Sequence, residues 1–183
     1  DASGLQYAVD QGAVQALVDN KGLVQAEGGQ VILSARAANT LASAVINNSG
    51  TIEAKGLSSV GGRSMLEADH ITLAAGSLLD ASGATGGGNV LVGGDWQGSG
   101  TMHQATTVTM ETGAKIDASA TQTGNGGKVV LWSDIHITNA LTQVDGEILA
   151  RGGLEGGDGG HIETSAASVD IGPHAVFNTL APK

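Results

Sequence analysis

The chain has no cysteine, two prolines, one phenylalanine and one tyrosine among 183 residues. Without cysteine there can be no disulfide and no thiolate metal site, and the redox compartment leaves no trace in the sequence. The shortage of aromatic rings argues against an ordinary compact core, because a globular domain of this length buries several of them. Cations are scarce as well: eight Lys and Arg stand against 18 Asp and Glu, for a net charge of −10. Eight scattered cations cannot build a phosphate-binding face, so nucleic acid is not an expected partner. No run of about 18 apolar residues occurs, so no inserted membrane helix is expected. No signal-peptide pattern stands at the start, and the chain is expected to begin downstream of any targeting segment.

What is abundant is glycine, with 30 residues, and it falls in a recurring phrase. The phrase is Gly, one or two residues, an aliphatic residue, one residue, then Ala, usually followed by Gly-Gly and a short β-branched run. It starts at Gly22 (GLVQAEGGQVIL), Gly50 (GTIEAKG), Gly76 (GSLLDASG), Gly113 (GAKIDASA) and Gly146 (GEILARGG), with a worn copy at Gly172. The intervals run from roughly 26 to 37 residues, as expected where strands are fixed and insertions project outward from a solenoid.

Each unit holds three short extended runs: the Ile-x-Ala phrase, the run after Gly-Gly, and a run such as Ile71-Thr72-Leu73. No helical segment is long enough to serve as a crossover. Each strand must then pair with its counterparts in neighbouring units, which predicts an all-β fold, a right-handed parallel β-helix of about five to six coils. One module over 1–183 is expected: residues 1–21 a cap or partial coil, 22–171 the repeat coils, and 172–183 a worn last coil and tail. At ~4.8 Å per coil the stack is roughly 25–30 Å long. One inward column reads Val24, Ile52, Leu79, Ile116, Ile148 and Val176, with Ala26, Ala54, Ala81, Ala118 and Ala150 two residues on. A second reads Val31, Val90, Val129 and Ile162, with Leu33, Leu66, Val92 and Leu131 behind it; Ser64 interrupts it and suggests a slipped register.

The phrases ALVDNKGLVQAEGGQVILSARAA, VINNSGTIEAKG, GGGNVLVGGDWQG, GAKIDASATQTGNGGKVVLWSD and GEILARGGLEGGDGGHIETS resemble the filamentous-haemagglutinin-type repeats of large two-partner-secretion exoproteins, from about Leu5 to Ile171. The resemblance implies a secreted or cell-surface bacterial protein that passes an outer-membrane secretion pore during export. The secretion domain of that family carries Asn-Pro-Asn motifs, whereas the prolines here are Pro173 and Pro182. The chain is therefore expected to lie beyond that domain, in the shaft. A spacer in an adhesin that serves adhesion or biofilm contact is the function this implies, with neighbouring coils of the exoprotein and a host or matrix glycan or protein as partners.

Chemistry on such a fold has to be sought in columns. Glu53, Asp80 and Asp117 would stack outward on successive coils, either a solvated acidic face or a ladder that recruits Ca²⁺, the one cofactor in view. The Gly-rich turns around Gly152 to Gly160 do not have the spacing of calcium-roll repeats, and φ > 0 corners account for their glycine. Asp95, Asp117, Asp134, Asp145 and Asp158, with Lys128 and Arg151, are the residues a polysaccharide-active enzyme would use, but isolated Asp in turns more often accepts from nearby backbone; no enzyme activity is expected.

The two tryptophans are the sharper signal. Alternation puts Trp132 on the outer face, with Trp96 in the preceding unit, about 10–12 Å away at ~3.3 Å per residue and ~4.8 Å per coil. With Asp95, Gln97 and Asp134 they would form a stacking platform for a sugar ring, and a glycan-binding module is the alternative function. The competing reading has Trp96 fold its own inserted loop onto the face. An outward stripe of Ile32, Met65, Leu91 and Val130 is too apolar to stand open, and residues 36–46 are the expected cover. A soluble monomer is expected, with apolar coil ends near Leu17–Val24 and Val169–Phe177, the latter blunted by proline.

Overall fold

The computed structural model describes residues 5–9, 16–27, 29–35, 44–55 and 61–182. Within them lie three six-stranded sheets. The first holds β1 (Leu5–Val9), β4 (Gln30–Ala35), β7 (Arg63–Glu67), β10 (Asn89–Val92), β13 (Lys128–Trp132) and β16 (His161–Ser165). The second holds β2 (Ala16–Asn20), β5 (Ala44–Asn48), β8 (His70–Leu73), β11 (Thr107–Met110), β14 (Leu141–Val144) and β17 (Ser168–Ile171). The third holds β3 (Leu23–Glu27), β6 (Thr51–Lys55), β9 (Leu78–Asp80), β12 (Lys115–Asp117), β15 (Glu147–Leu149) and β18 (Val176–Asn178). Every strand of the inner coils pairs in parallel with the strands three before and three after it, and those of the first and last coils with one of these, so successive trios form six coils of a parallel β-helix. Among the described residues the helical content is one 3₁₀ turn, Trp96–Gly98.

Alternation along each strand fills the interior. Ile52, Leu79, Ile116 and Ile148 stack in register in the third sheet and are fully buried. Each such side chain contributes about 2 kcal/mol of burial. Ala54, Ala81, Ala118 and Ala150 lie two residues on, also at zero exposure, and their small size lets the chain turn the corner. In the first sheet Val31, Val90 and Val129 form the corresponding column, with Leu33, Leu66, Val92 and Leu131 behind.

Two register expectations are corrected. Ser64 does not mark a slip: it pairs with Val31 and Val90, fully buried, and its hydroxyl finds no hydrogen-bond partner. In the last coil Phe177, not Val176, lies opposite Ile148, and Asn178 lies opposite Leu149. The turn explains this. Ala175 N–H donates to Gly172 O as Ala114 N–H donates to Glu111 O, so Gly172 corresponds to Glu111 and not to Gly113.

The corner between the third and first sheets accounts for the Ala…Gly-Gly spacing. The second glycine of each pair donates to the carbonyl of the phrase's Ala in the same coil: Gly62 to Ala54 at 2.7 Å, Gly88 to Ala81 at 2.8 Å, Gly127 to Ala118 at 2.7 Å and Gly160 to Ala150 at 2.7 Å. This bond closes the base of a loop whose length is then free to vary. A Cβ on Gly127 would sit 1.8 Å from Gly88 O in the coil below, so the stacking of these corners excludes any side chain.

Ala44, Val45 and Ile46 belong to strand β5, and the rest of the 36–46 segment lies outside the described residues. Residues 1–4 and 10–15 of the expected amino-terminal cap lie outside them too, while Leu5–Val9 forms the first strand of the first sheet.

Candidate functional site

The feature that departs most from a plain stack is the excursion from Gly93 to Thr106, inserted between β10 and β11. It leaves the coil at Gly93, whose φ of +75° fits only glycine comfortably, and lies on the outer face of the first sheet. There Leu91, Val130 and Trp132 form a separate buried cluster, against which Met65, Trp96 and Met102 pack. The Leu91 and Val130 part of the apolar outer stripe is thus covered by residues 93–106; of the expected cover, 36–46, residues 36–43 lie outside the described residues.

Polar contacts fix the excursion at both ends. Asp95 Oδ1 accepts from Trp96 N–H at 2.7 Å and opens the 3₁₀ turn, and Asp95 Oδ2 lies 3.7 Å from the Arg63 guanidinium. Gln97 N–H donates to Glu163 at 2.9 Å. His103 N–H donates to Glu67 at 2.8 Å, and His103 Nε2 lies 2.7 Å from Asp69 Oδ1. In the centre Trp132 Nε1–H donates to Gln104 Oε1 at 2.9 Å, and Gln104 Nε2 donates to Gly98 O at 3.1 Å. Gln97 adopts φ 55°, ψ 29°, the left-handed region that non-glycine residues enter at a cost of about 1 kcal/mol. Sequence reasoning singled out none of Glu67, Asp69, Gln104 or Glu163; the available signal was the length of this unit, the longest in the chain.

The tryptophan platform is corrected by this arrangement. Trp132 is 4% exposed, closed in by Gly94 and Gly98, where a Cβ would fall 2.5 and 2.6 Å from the indole. Its ring offers no open face. Trp96 is half-buried and packs down on the same cluster, with the Lys128 ammonium 5.0 Å from its ring centre and His161 edge-on at 5.9 Å. Asp95 and Gln97 lie beside it, but Asp134 does not join them; its carboxylate accepts from His136 N–H at 2.9 Å in a local turn.

Glu53, Asp80 and Asp117 do stack on successive coils. Their carboxylates already have partners: Glu53 accepts from Gln25 of the neighbouring coil at 3.1 Å, Asp80 from the Ser82 amide and hydroxyl at 2.9 and 2.6 Å, and Asp117 from Ser119 N–H at 3.0 Å. Lys115 reaches Glu147 at 3.2 Å. Among the described residues no three His, Asp or Glu side chains converge as a cation would need. The glycine-rich loops after the Ala corners stack on one another as a ridge, with Gly124 N–H donating to Gly156 O and Gly126 N–H to Asp158 O, both at 2.8 Å. Asp145 is held by the equivalent turns of the coils on either side: Thr112 Oγ1 donates to it, His174 N–H donates at 2.8 Å, and His174 Nδ1 lies 3.0 Å away. Those bonds, the Thr112 hydroxyl first, lower its pKa to about 2.

The last coil is open. Val169, Ile171 and Phe177 occupy inward columns and yet are 41, 47 and 42% exposed. A groove of about 490 Å³ crosses this end, lined by Trp96, His161, Ile162, Ile171 and Phe177 among others. At the opposite end Leu17 and Leu23 are exposed. No described helix is long and apolar enough to cross a membrane.

Comparison with known proteins gives a likeness among solved structures. No family model matches the sequence, and no curated protein matches it. Among solved structures, the secretion domain of HMW1 from Haemophilus influenzae matches with a TM-score of 0.65 and 27% sequence identity, over 90% of this chain and 48% of that one. The chain thus spans about half the length of that structure. The likeness is to a secretion domain, where the absence of Asn-Pro-Asn pointed to the shaft beyond one. Taken with the six coils, it makes this chain a parallel β-helix similar to part of a bacterial secretion domain.

Proposed function

We propose that this chain is a rigid β-helical segment of a bacterial exoprotein exported by two-partner secretion, placed in the secretion region where it passes into the shaft. The observation that carries the reading is the 27% identity to a secretion domain over 90% of the chain. The six coils supply stiffness, and the open sixth coil supports a further coil stacking on it, since its inward residues are apolar and its strand edges are unpaired. The exoprotein serves adhesion or biofilm contact at the cell surface, to which this segment contributes spacing. No reaction is assigned to it: the carboxylates of Asp80, Asp117 and Asp134 are bound to nearby residues and not gathered around a groove. A glycan site on this face would use Trp96 without Trp132.

Export of the full-length protein tests the reading. Ile116→Asp, which puts a charge in the third-sheet column, should remove the whole protein from the medium and from intact cells, while Asp117→Ser leaves its level unchanged. Normal export of the amino-terminal part of the Ile116→Asp protein would place the segment in the shaft instead. Retention of the unsubstituted protein inside the cell would refute the reading altogether.

A further inference from the structure

In a plain solenoid each coil touches only its neighbours, so stability is close to a sum of nearest-neighbour terms. The 93–106 excursion breaks that rule. It arises from the fourth coil and reaches back to the third through Arg63, Glu67 and Asp69, and forward over Trp132 of the fifth to Glu163 and His161 of the sixth. The contact between Gln97 and Glu163 joins residues 66 apart.

We propose that the 93–106 excursion is a latch that binds coils three to six into one cooperative unit, closing only when the sixth coil is in place. Three features support this. The two ends are tied to different coils by backbone N–H bonds to carboxylates, Gln97 to Glu163 and His103 to Glu67. The centre transmits between the ends, because Gln104 accepts from Trp132 and donates to Gly98 O, inside the turn that holds Gln97. And Gln97 is kept in the left-handed region, a conformation that the bond to Glu163 and the Trp96 packing hold against its natural preference. Release of the sixth-coil contact lets the turn relax and uncovers Leu91 and Val130. The latch goes beyond the export reading and stands whether or not that reading does.

Residue-resolved amide exchange on the folded chain tests it, with Gln97 N–H reporting the sixth-coil end and His103 N–H the third-coil end. Gln104→Met leaves both of those bonds in place and removes only the centre; both amides should exchange at least tenfold faster, and by similar factors. Glu163→Ala should accelerate His103 N–H, three coils away, by a comparable factor. Glu147→Ala, whose side chain pairs with Lys115 on the third sheet, is the control and should change neither. If Glu163→Ala accelerates Gln97 alone, the excursion is a set of independent contacts and the latch is wrong. Should Gln104→Met fail to fold, the Glu163→Ala result decides by itself.

Discussion

The fourth and sixth coils carry the same kinds of residue at the same positions and differ almost completely in burial. Val90, Val108 and Ile116 of the fourth are fully buried; in the sixth, Ile162 is half-buried, Val169 is 41% and Phe177 42% exposed. The same column takes Ile116 in one and Phe177 in the other. What differs is the presence of a coil above. Inwardness in a solenoid is set by the strand's own alternation, but dryness is set by the neighbour, and the two can be probed separately.

The largest effect should come from charging the same column at two heights. Ile116→Asp should cost more than about 3 kcal/mol in urea unfolding, because a carboxylate with no partner would be enclosed by aliphatic side chains. Phe177→Asp should cost less than about 1 kcal/mol in the isolated chain, since water already reaches it. Equal costs would mean that the open end is closed in solution.

A second contrast uses glycine. Gly127→Ala should destabilise by about 2 kcal/mol or more, because the corner must part from the coil below, as overpacking does elsewhere. Gly22→Ala meets nothing within 4 Å and should be neutral or slightly stabilising through the unfolded chain. Thermal melts of both variants check this, and a tolerant Gly127 would contradict the stacking of the corners.

Ser64→Val restores the aliphatic column between Val31 and Val90 and removes a buried hydroxyl with no partner. A gain of about 1 kcal/mol is expected in the same unfolding assay. The smallest effect concerns Asp145. A carboxyl whose pKa falls on folding, here from 3.8 to about 2, adds stability that is complete above pH 4 and disappears as pH drops towards 2. Asp145→Asn should therefore flatten that part of the pH profile, with its loss of stability largest at neutral pH and vanishing as pH drops towards 2.

The repeating phrase made the sheets, the coil number and most inward columns legible, because a period of two along each strand and the Ala…Gly-Gly corner are both local. Ile52, Leu79, Ile116 and Ile148 could be aligned from spacing alone. Trp132 could not be placed, because alternation correctly sends it outward while its cover comes from an excursion begun 39 residues earlier, at Gly93. Phe177 was misread by one position because the glycine of the phrase is absent from its usual turn site, where His174 stands instead. The carboxylate file was visible as a column, but not the turning of Asp80 and Asp117 to Ser82 and Ser119, which depends on loops that the strand pattern does not describe.

Amide exchange across β16, β17 and β18, measured in the isolated chain and in the full-length exoprotein, tests the central claim most directly. The account predicts that the outer edge of these strands exchanges freely in the isolated chain and becomes at least a hundredfold more protected in the full-length protein, where a further coil pairs with it. Equal, rapid exchange in both would contradict the account, because the sixth coil would then be the end of the stack and not a level within it.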